Sequence, residues 1–358
     1  IFYIFCNVRA SRFYYQQVVF PLALAGLLIS CGRKQTPPVM ETVTIDNVEP
    51  RRDVSGRIID AHDGCLQLFG GRFYLYGTAY GTNDGYHASN CYRVYSSPDL
   101  EHWTLEGDLL KQQPDGVCFR PYVVFNPNTR KYVLWFNWYP EPWNARGSHE
   151  GVAVSDSPVG PFTIVKTNVN ILGPDSHPGD GSLFMDDDGT GYYIFDLINE
   201  GYAIRIARLT QDYLGLTGEV SEVLATGGEA PILFRRNQFY YALSGPLCAF
   251  CPEGSEVKYM RSTSPLGPYA FKPEWNINRR ENTGSFISAQ ESWVAKIPAS
   301  GEPELMWMAD RWQSTPDKIK GHDFQYWSAP LEFATNGDIL PIKIVPKWFI
   351  TWGAEPSQ

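Results

Sequence analysis

A chain of 358 residues, 43% hydrophobic and 15% aromatic, is long enough to bury a large core. Its 21 Tyr, 20 Phe and 11 Trp favour strands, and no stretch of helical period exceeds two turns. A formal charge of −9 argues against a nucleic-acid phosphate backbone as partner and suits a neutral ligand such as a sugar.

The amino end reads as a processing signal. Arg9 and Arg12 precede the apolar run VVFPLALAGLLIS (18–30), of secretory length and too short to span a bilayer. The run ends on Leu28-Ile29-Ser30-Cys31, which resembles a bacterial lipobox with Cys31 as the lipidated residue. Residues 1–30 are therefore expected to be a signal peptide. Export follows, with a lipid anchor in the periplasm or at the cell surface. Residues 31–53 are polar and Pro-bearing, as a tether should be, and a folded domain is expected over 54–350. Cys248-Ala249-Phe250-Cys251 reads as a local bridge or as two buried thiols, since no second CxxC and no His lies near it.

Within the domain one pattern recurs. An apolar run meets a turn, a Tyr/Phe-rich run follows, and the unit closes on Ser-Pro and an aromatic. FGGRFYLYG (69–77) leads to VYSSPDLEHW (94–103), and NPNTRKYVLWF (126–136) to VSDSPVGPF (154–162). FRRNQFYYALS (234–244) leads to RSTSPLGPY (261–269), and DDDGTGYYIF (186–195) is a further hairpin. The Ser-Pro prolines stand at Pro98, Pro158 and Pro265, so the steps are 60 and 107 residues. A β-rich period of about 50–60 residues is the signature of a β-propeller. The expected fold class is all-β, a five-bladed β-propeller with a central funnel.

In a propeller the innermost strand of each blade lines the channel. Acidic residues just ahead of an apolar strand therefore point into the funnel mouth. Three qualify: Asp63 in IIDAHDGCLQLF (58–69), Asp180 in HPGDGSLFMDDDG (177–189) and Glu229 in ATGGEAPILFRR (225–236). Three carboxylates from three blades match what glycosidic cleavage needs. One acid protonates the leaving oxygen, one base activates water, and a third group orients the acid and holds its pKa up. That chemistry calls for no metal and no cofactor. Asp186, Asp187 and Asp188 read instead as hairpin turn residues. His62 is placed to orient a carboxylate or a sugar hydroxyl, and Arg120 to hydrogen-bond either. Tyr80, Trp138, Trp143 and Trp312 are candidate platforms for a sugar face.

Over residues 56–335 the chain resembles glycoside hydrolase family 43 and its five-bladed relatives. Glu229-Ala230-Pro231 matches the string that carries the family's acid. Asp180 stands ahead of Phe184-Met185-Asp186-Asp187-Asp188-Gly189, as the family's acid-modulating aspartate does. The family's base is an aspartate in blade one. Counting back from FGGRFYLYG lands on Gly64, one residue past Asp63, which in a strand inverts the side chain; a bulge at Gly64 restores it. The string Ala61-His62-Asp63-Gly64 is also similar to that of the exo-β-1,3-galactanase-like branch. In that branch a glutamine in blade five is proposed to serve, and Gln290 in SFISAQESW (285–293) has its surroundings. The base is thus Asp63 or Gln290, while Glu291 alternates away. Where the branch has a glutamate before Arg-Pro, this chain has Phe119-Arg120-Pro121. Asp310-Arg311-Trp312, after LMWMA (305–309), matches the family's D-R-W string. It joins His62 and Arg120 among the expected substrate-binding residues, with Arg311 placed to pair with Glu229 or Asp180 or to neutralise the funnel.

The resemblance implies a glycosidase acting on plant or host oligo- or polysaccharide by inversion, with its two carboxyls about 6.5–9.5 Å apart; separately, a monomer is expected. Galactanase, arabinofuranosidase and xylosidase activities all fit. The alternative is a catalytically inactive carbohydrate-binding propeller on a hydrolase scaffold, which Phe119 favours. The loops GYHASN (85–90) and YPEPWNARGSHE (139–150) are placed to set specificity.

Overall fold

The computed structural model describes residues 39–140, 147–248, 250–251, 255–281, 286–299 and 302–354. Residues 1–30, expected to be a signal peptide, Cys31 and Trp143 lie outside these residues. Tyr, Phe, Val and Leu alternating around Gly-rich turns produce short antiparallel hairpins. Strand β1 (Val39–Asp46) precedes the blades. Blade I holds β2 (His62–Phe69), β3 (Arg72–Ala79), β4 (Cys91–Ser97) and β5 (Thr104–Asp108). Blade II holds β6 (Gly116–Asn126), β7 (Lys131–Pro140), β8 (His149–Ser155) and β9 (Thr163–Lys166). Blade III holds β10 (Pro178–Met185), β11 (Gly191–Leu197), β12 (Ala203–Leu209) and β13 (Leu216–Val220). Blade IV holds β14 (Gly228–Arg236), β15 (Phe239–Pro246) and β16 (Lys258–Ser262). Blade V holds β17 (Gln290–Ile297), β18 (Glu304–Arg311) and β19 (Phe324–Trp327), and β20 (Lys347–Ala354) ends the described chain.

The first strand of each blade is innermost, and the ring closes on itself. β2 packs on β6, β6 on β10, β10 on β14, β14 on β17 and β17 on β2. The fold is a five-bladed β-propeller. Neighbouring blades meet through apolar faces, and polar tips of the aromatics are spent on backbone carbonyls across the seams. Trp293 Nε1 of blade V donates to Leu66 O of blade I at 3.1 Å. Tyr76 OH of blade I donates to Pro158 O at 2.7 Å, so the Ser-Pro corner of blade II doubles as a seam contact. The Asp186 turn also serves a seam, accepting from Tyr240 OH at 2.5 Å and Arg235 Nη1 at 2.6 Å of blade IV.

One expectation is corrected. Part of the segment expected to be a tether, 31–53, belongs to the fold: β1 pairs antiparallel with β20, Val43 opposite Ile350. Val43, Ile45, Trp348 and Ile350 are buried in the main core. The strand was hidden because its partner lies some 300 residues on, and its residues at 42, 44 and 46 are polar. Just after it, Asn47 ties both ends to blade V. Its Nδ2 donates to Trp327 O at 2.9 Å and Val345 O at 3.0 Å, and its Oδ1 accepts from Trp327 N at 3.0 Å. Asn47→Ala strands these buried groups and should lower stability by about 2–4 kcal/mol. A denaturant titration that leaves the midpoint within error of wild type would show the clasp to be dispensable.

Candidate active site

Every innermost strand breaks register near its start. The ladder slips between His62 and Cys65, Phe119 and Tyr122, Pro178 and Gly181, Glu229 and Ile232, and Glu291 and Trp293. Such bulges set two residues against one, bend the strand and re-aim a side chain. In blade I the bulge is tight. A Cβ on Gly64 would lie 2.0 Å from Tyr76 O, and one on Gly77 would lie 2.2 Å from Ala61 C. The bulge at Gly64 that the resemblance required is therefore present, and it turns Asp63 into the funnel.

Three bulge residues adopt the left-handed backbone: Asp63 (φ 47), Arg120 (φ 48) and Ala230 (φ 54). Non-glycine residues there cost about 1–3 kcal/mol, so the surroundings must hold them. A bulge also frees an N–H from the ladder, and a neighbouring carboxylate takes it up. Asp63 N donates to Asp310 Oδ2 of blade V at 2.7 Å. Arg120 N faces Thr78 Oγ1 at 3.1 Å and Asp63 Oδ1 of blade I at 3.3 Å. Ala230 N donates to Asp180 Oδ2 of blade III at 3.0 Å. Asp180 N donates to Asp196 Oδ1 within its own blade at 2.7 Å.

These residues surround a cavity of about 350 Å³, within the range of small-molecule sites. Asp63, Arg120, Asp180, Asp196, Glu229 and Gln290 form its polar floor. Tyr86, Phe119, Tyr139, Tyr202, Phe250 and Trp312 form aromatic walls. Tyr86 and Tyr139 come from the two loops read as specificity elements.

The electrostatics separate the carboxyls. Glu229 is pushed up to about 7, first by burial and then by the nearby Asp180, against the pull of Cys248 N–H and Arg120. Its Oε1 accepts from Cys248 N at 2.9 Å and from Gln290 Nε2 at 2.8 Å. Gln290 is itself fixed, because its Oε1 accepts from Trp312 Nε1 at 2.8 Å. Asp63 rises to about 6 through burial, restrained by Arg120 and by donation from Thr78 Oγ1 at 2.6 Å and Tyr80 OH at 2.5 Å. Asp180 forms an ion pair with Arg120, Nε to Oδ1 at 2.9 Å. Arg120 is the one basic residue among the described residues that line the cavity.

Three expected substrate contacts sit elsewhere. His62 and Asp310 do not line the cavity; they lie behind Asp63, Nδ1 to Oδ1 at 2.9 Å. Burial works against the His62 charge, but Asp310, with Asp60 and Asp63, outweighs it and holds the imidazole up to about 9. Both residues are therefore supports for the blade I bulge. Arg311 does not line the cavity; its guanidinium lies 5.8 Å from the Phe324 ring, and Arg120 has the pairing with Asp180. Trp312 does line the cavity, whereas Tyr80 and Trp138 do not.

Two buried acids were missed. Asp196 sits in the apolar strand GYYIFDL and is driven well above the carboxylate range by burial and by Asp180. Glu150 is pushed up to about 8 by burial. It accepts from Asn137 Nδ2 at 2.9 Å, and the same nitrogen donates to Gly179 O at 2.6 Å, bracing the strand that carries Asp180. For Asp196 a charged residue inside an apolar strand was the available signal, whereas Glu150 ends a polar stretch that reads as a loop.

The raised Glu229 pKa has a stability consequence. The folded state binds its proton more tightly than the unfolded state, where the usual value is 4.5. Wild type therefore loses stability as pH rises from 4.5 to about 7. Glu229→Gln removes that loss, so its stability relative to wild type should grow across this window by on the order of 3 kcal/mol. Urea midpoints for both proteins near the two ends of the window test this. A constant difference would mean that Glu229 titrates normally.

With this geometry in view, the relatives are informative. A model of glycosyl hydrolases family 43 matches residues 58–297. An arabinoxylan arabinofuranohydrolase of Bacillus subtilis (strain 168) is 26% identical over 324 residues, covering 73% of this chain and 58% of that protein. The chain thus spans little more than half of that relative. An exo-β-1,3-galactanase from Clostridium thermocellum superposes with a TM-score of 0.74 at 24% identity, over 88% of this chain and 68% of that one. An exo-β-1,3-galactanase from Phanerochaete chrysosporium with galactose gives 0.70 at 25%, over 86% and 68%. The family match runs from the strand that carries Asp63 to the strand that carries Gln290, through all five innermost strands of the ring. The chain belongs to glycosyl hydrolases family 43.

Proposed function

We propose that the chain is an inverting glycoside hydrolase acting on polysaccharide, with Glu229 as general acid and Asp63 as general base. The observation that carries this reading is Glu229, held protonated close to neutral pH beside the Asp180–Arg120 pair in an aromatic-walled cavity. Glu229 gives its proton to the glycosidic oxygen as the bond to the anomeric carbon breaks. Asp63 takes a proton from a water that attacks that carbon from the opposite face. Gln290, with both ends of its amide engaged, holds Glu229 and is not the base. Phe119, Tyr139 and Trp312 offer faces to the sugar C–H groups. The relatives' names put arabinofuranose and β-1,3-linked galactose first among substrates. Export and anchoring through Cys31 belong to the same reading and rest on the apolar run 18–30.

The test is a hydrolysis screen of the chain and its Glu229→Gln variant. It covers nitrophenyl α-arabinofuranoside, β-xyloside and β-galactoside, with arabinan, arabinogalactan and β-1,3-galactan. One sugar should appear with inverted configuration by proton NMR, and the variant should lose about 100-fold or more of kcat on poor leaving groups. Binding without product would make the chain a carbohydrate-binding propeller. On the released substrate, kcat/KM should follow a bell. It falls below about 6 as Asp63 takes up a proton and above about 7 as Glu229 loses one. A flat profile across that range would refute both assignments.

A further inference from the structure

The turn that follows β15 is closed by a disulfide between Cys248 and Cys251, whose Cα atoms lie 5.7 Å apart. Cys65, Cys91 and Cys118 remain thiols. The closed turn touches the site twice. At its start, Cys248 N donates to Glu229 Oε1 at 2.9 Å. At its tip, Phe250 forms part of the cavity wall.

Phe250 is held from three other blades. Its ring stands perpendicular to Trp312 of blade V at 5.1 Å and to Tyr80 of blade I at 5.6 Å, and it lies 6.0 Å from Phe119 of blade II. Lys320 Nζ sits 4.3 Å from the Phe250 ring and 4.5 Å from that of Trp312. Gln313 Nε2 donates to Phe250 O at 3.2 Å. Gly85, at φ 113, leaves the room: a Cβ there would lie 2.8 Å from the ring. Phe250 itself takes a left-handed backbone (φ 60), a strained state that a short covalent ring helps to maintain. A free turn would have to order the donor and the wall separately, at an entropic cost for each.

We propose that the disulfide-closed turn Cys248–Cys251 is a positioning and specificity element of the site: it aims the Cys248 N–H at the Glu229 carboxyl and holds Phe250 against the sugar. The inference rests on the glycosidase reading for the sugar contact but not for the bond to Glu229. Breaking the ring in Cys248→Ser/Cys251→Ser should have two effects. The carboxylate loses a donor, so the alkaline limb of kcat/KM should climb by about half a pH unit or more. The wall loosens, so KM should rise. Phe250→Ala should raise KM and leave the alkaline limb in place, a split that mere loss of stability does not produce.

A second readout is independent of turnover. The carbon-13 carboxyl resonance of Glu229, assigned by its absence in Glu229→Gln, should titrate higher in the double variant than in wild type. That shift would support the inference even if no glycoside is cleaved. If the double variant does not fold, the same titration is run on folded wild type treated with dithiothreitol. There the two sulfurs take up two electrons and two protons as the reagent closes to its cyclic disulfide. An unmoved Glu229 titration in either form would overturn the proposal, as would a double variant with wild-type KM and alkaline limb.

Discussion

The site depends on one constraint: a bulge frees an N–H from its ladder, and that N–H must find an acceptor before the left-handed backbone becomes tolerable. In this ring the acceptor is a carboxylate, mostly on the next blade. Asp310 of blade V takes the N–H of Asp63, and Asp63 of blade I reaches that of Arg120. The Arg120 guanidinium crosses to Asp180 of blade III, which takes the N–H of Ala230 in blade IV. Glu229 of blade IV is bonded from Gln290, which is bonded from Trp312 of blade V. The circuit visits all five blades. Each acid proposed for the chemistry is also a structural acceptor, which explains why carboxyls persist in a closed, aromatic setting.

That dual use sets the charges apart. Four acids line the cavity with one arginine, so they cannot all be ionised in a low dielectric. The geometry resolves this unevenly. Arg120 binds Asp180 directly and lies close enough to Asp63 to restrain its rise to about 6. Glu229 faces donors but, among the described residues, no direct ion pair, and is pushed higher, to about 7. Asp196 is driven well above the carboxylate range by burial and by Asp180, with Arg120 pulling only weakly the other way. One arginine, placed asymmetrically, thus gives chemically similar carboxyls different proton affinities, the separation that the proposed acid and base require.

How much of this was readable follows from the range of each interaction. The blades were legible because turn and Ser-Pro signals act over a few residues. Asp63, Asp180 and Glu229 were legible because a carboxylate ahead of an apolar strand has few bland explanations. The off-by-one count at Gly64 was a correct local signal of a bulge, since only glycine at 64 and 77 permits the approach. What failed was pairing across distance. Asp310-Arg311-Trp312 reads as three adjacent site residues, yet strand alternation and the chain's exit from β18 send Asp310 to the bulge, Arg311 to Phe324 and only Trp312 to the cavity. Phe250 gave no local hint of facing the cavity, and Asp196 gave only that of a charge inside an apolar strand.

The failure at the amino end bears on the site as well. In sequence β1 reads as tether, because its partner is the last strand of the described chain. Yet this clasp continues inward. Asn47 binds both backbone groups of Trp327 in β19. Arg51 Nη1 donates to Gln325 O at 2.6 Å, and its guanidinium lies 3.8 Å from the Trp327 ring. Gln325 is the β19 partner of Asp310, and Asp310 holds the N–H of Asp63. In the closed ring every innermost strand is packed between those of two neighbouring blades. Loosening the clasp therefore loosens the strand that presents Asp310, and the first group to lose its acceptor is the residue proposed as the base. The joining of the chain ends and the placing of Asp63 are two ends of the same set of hydrogen bonds.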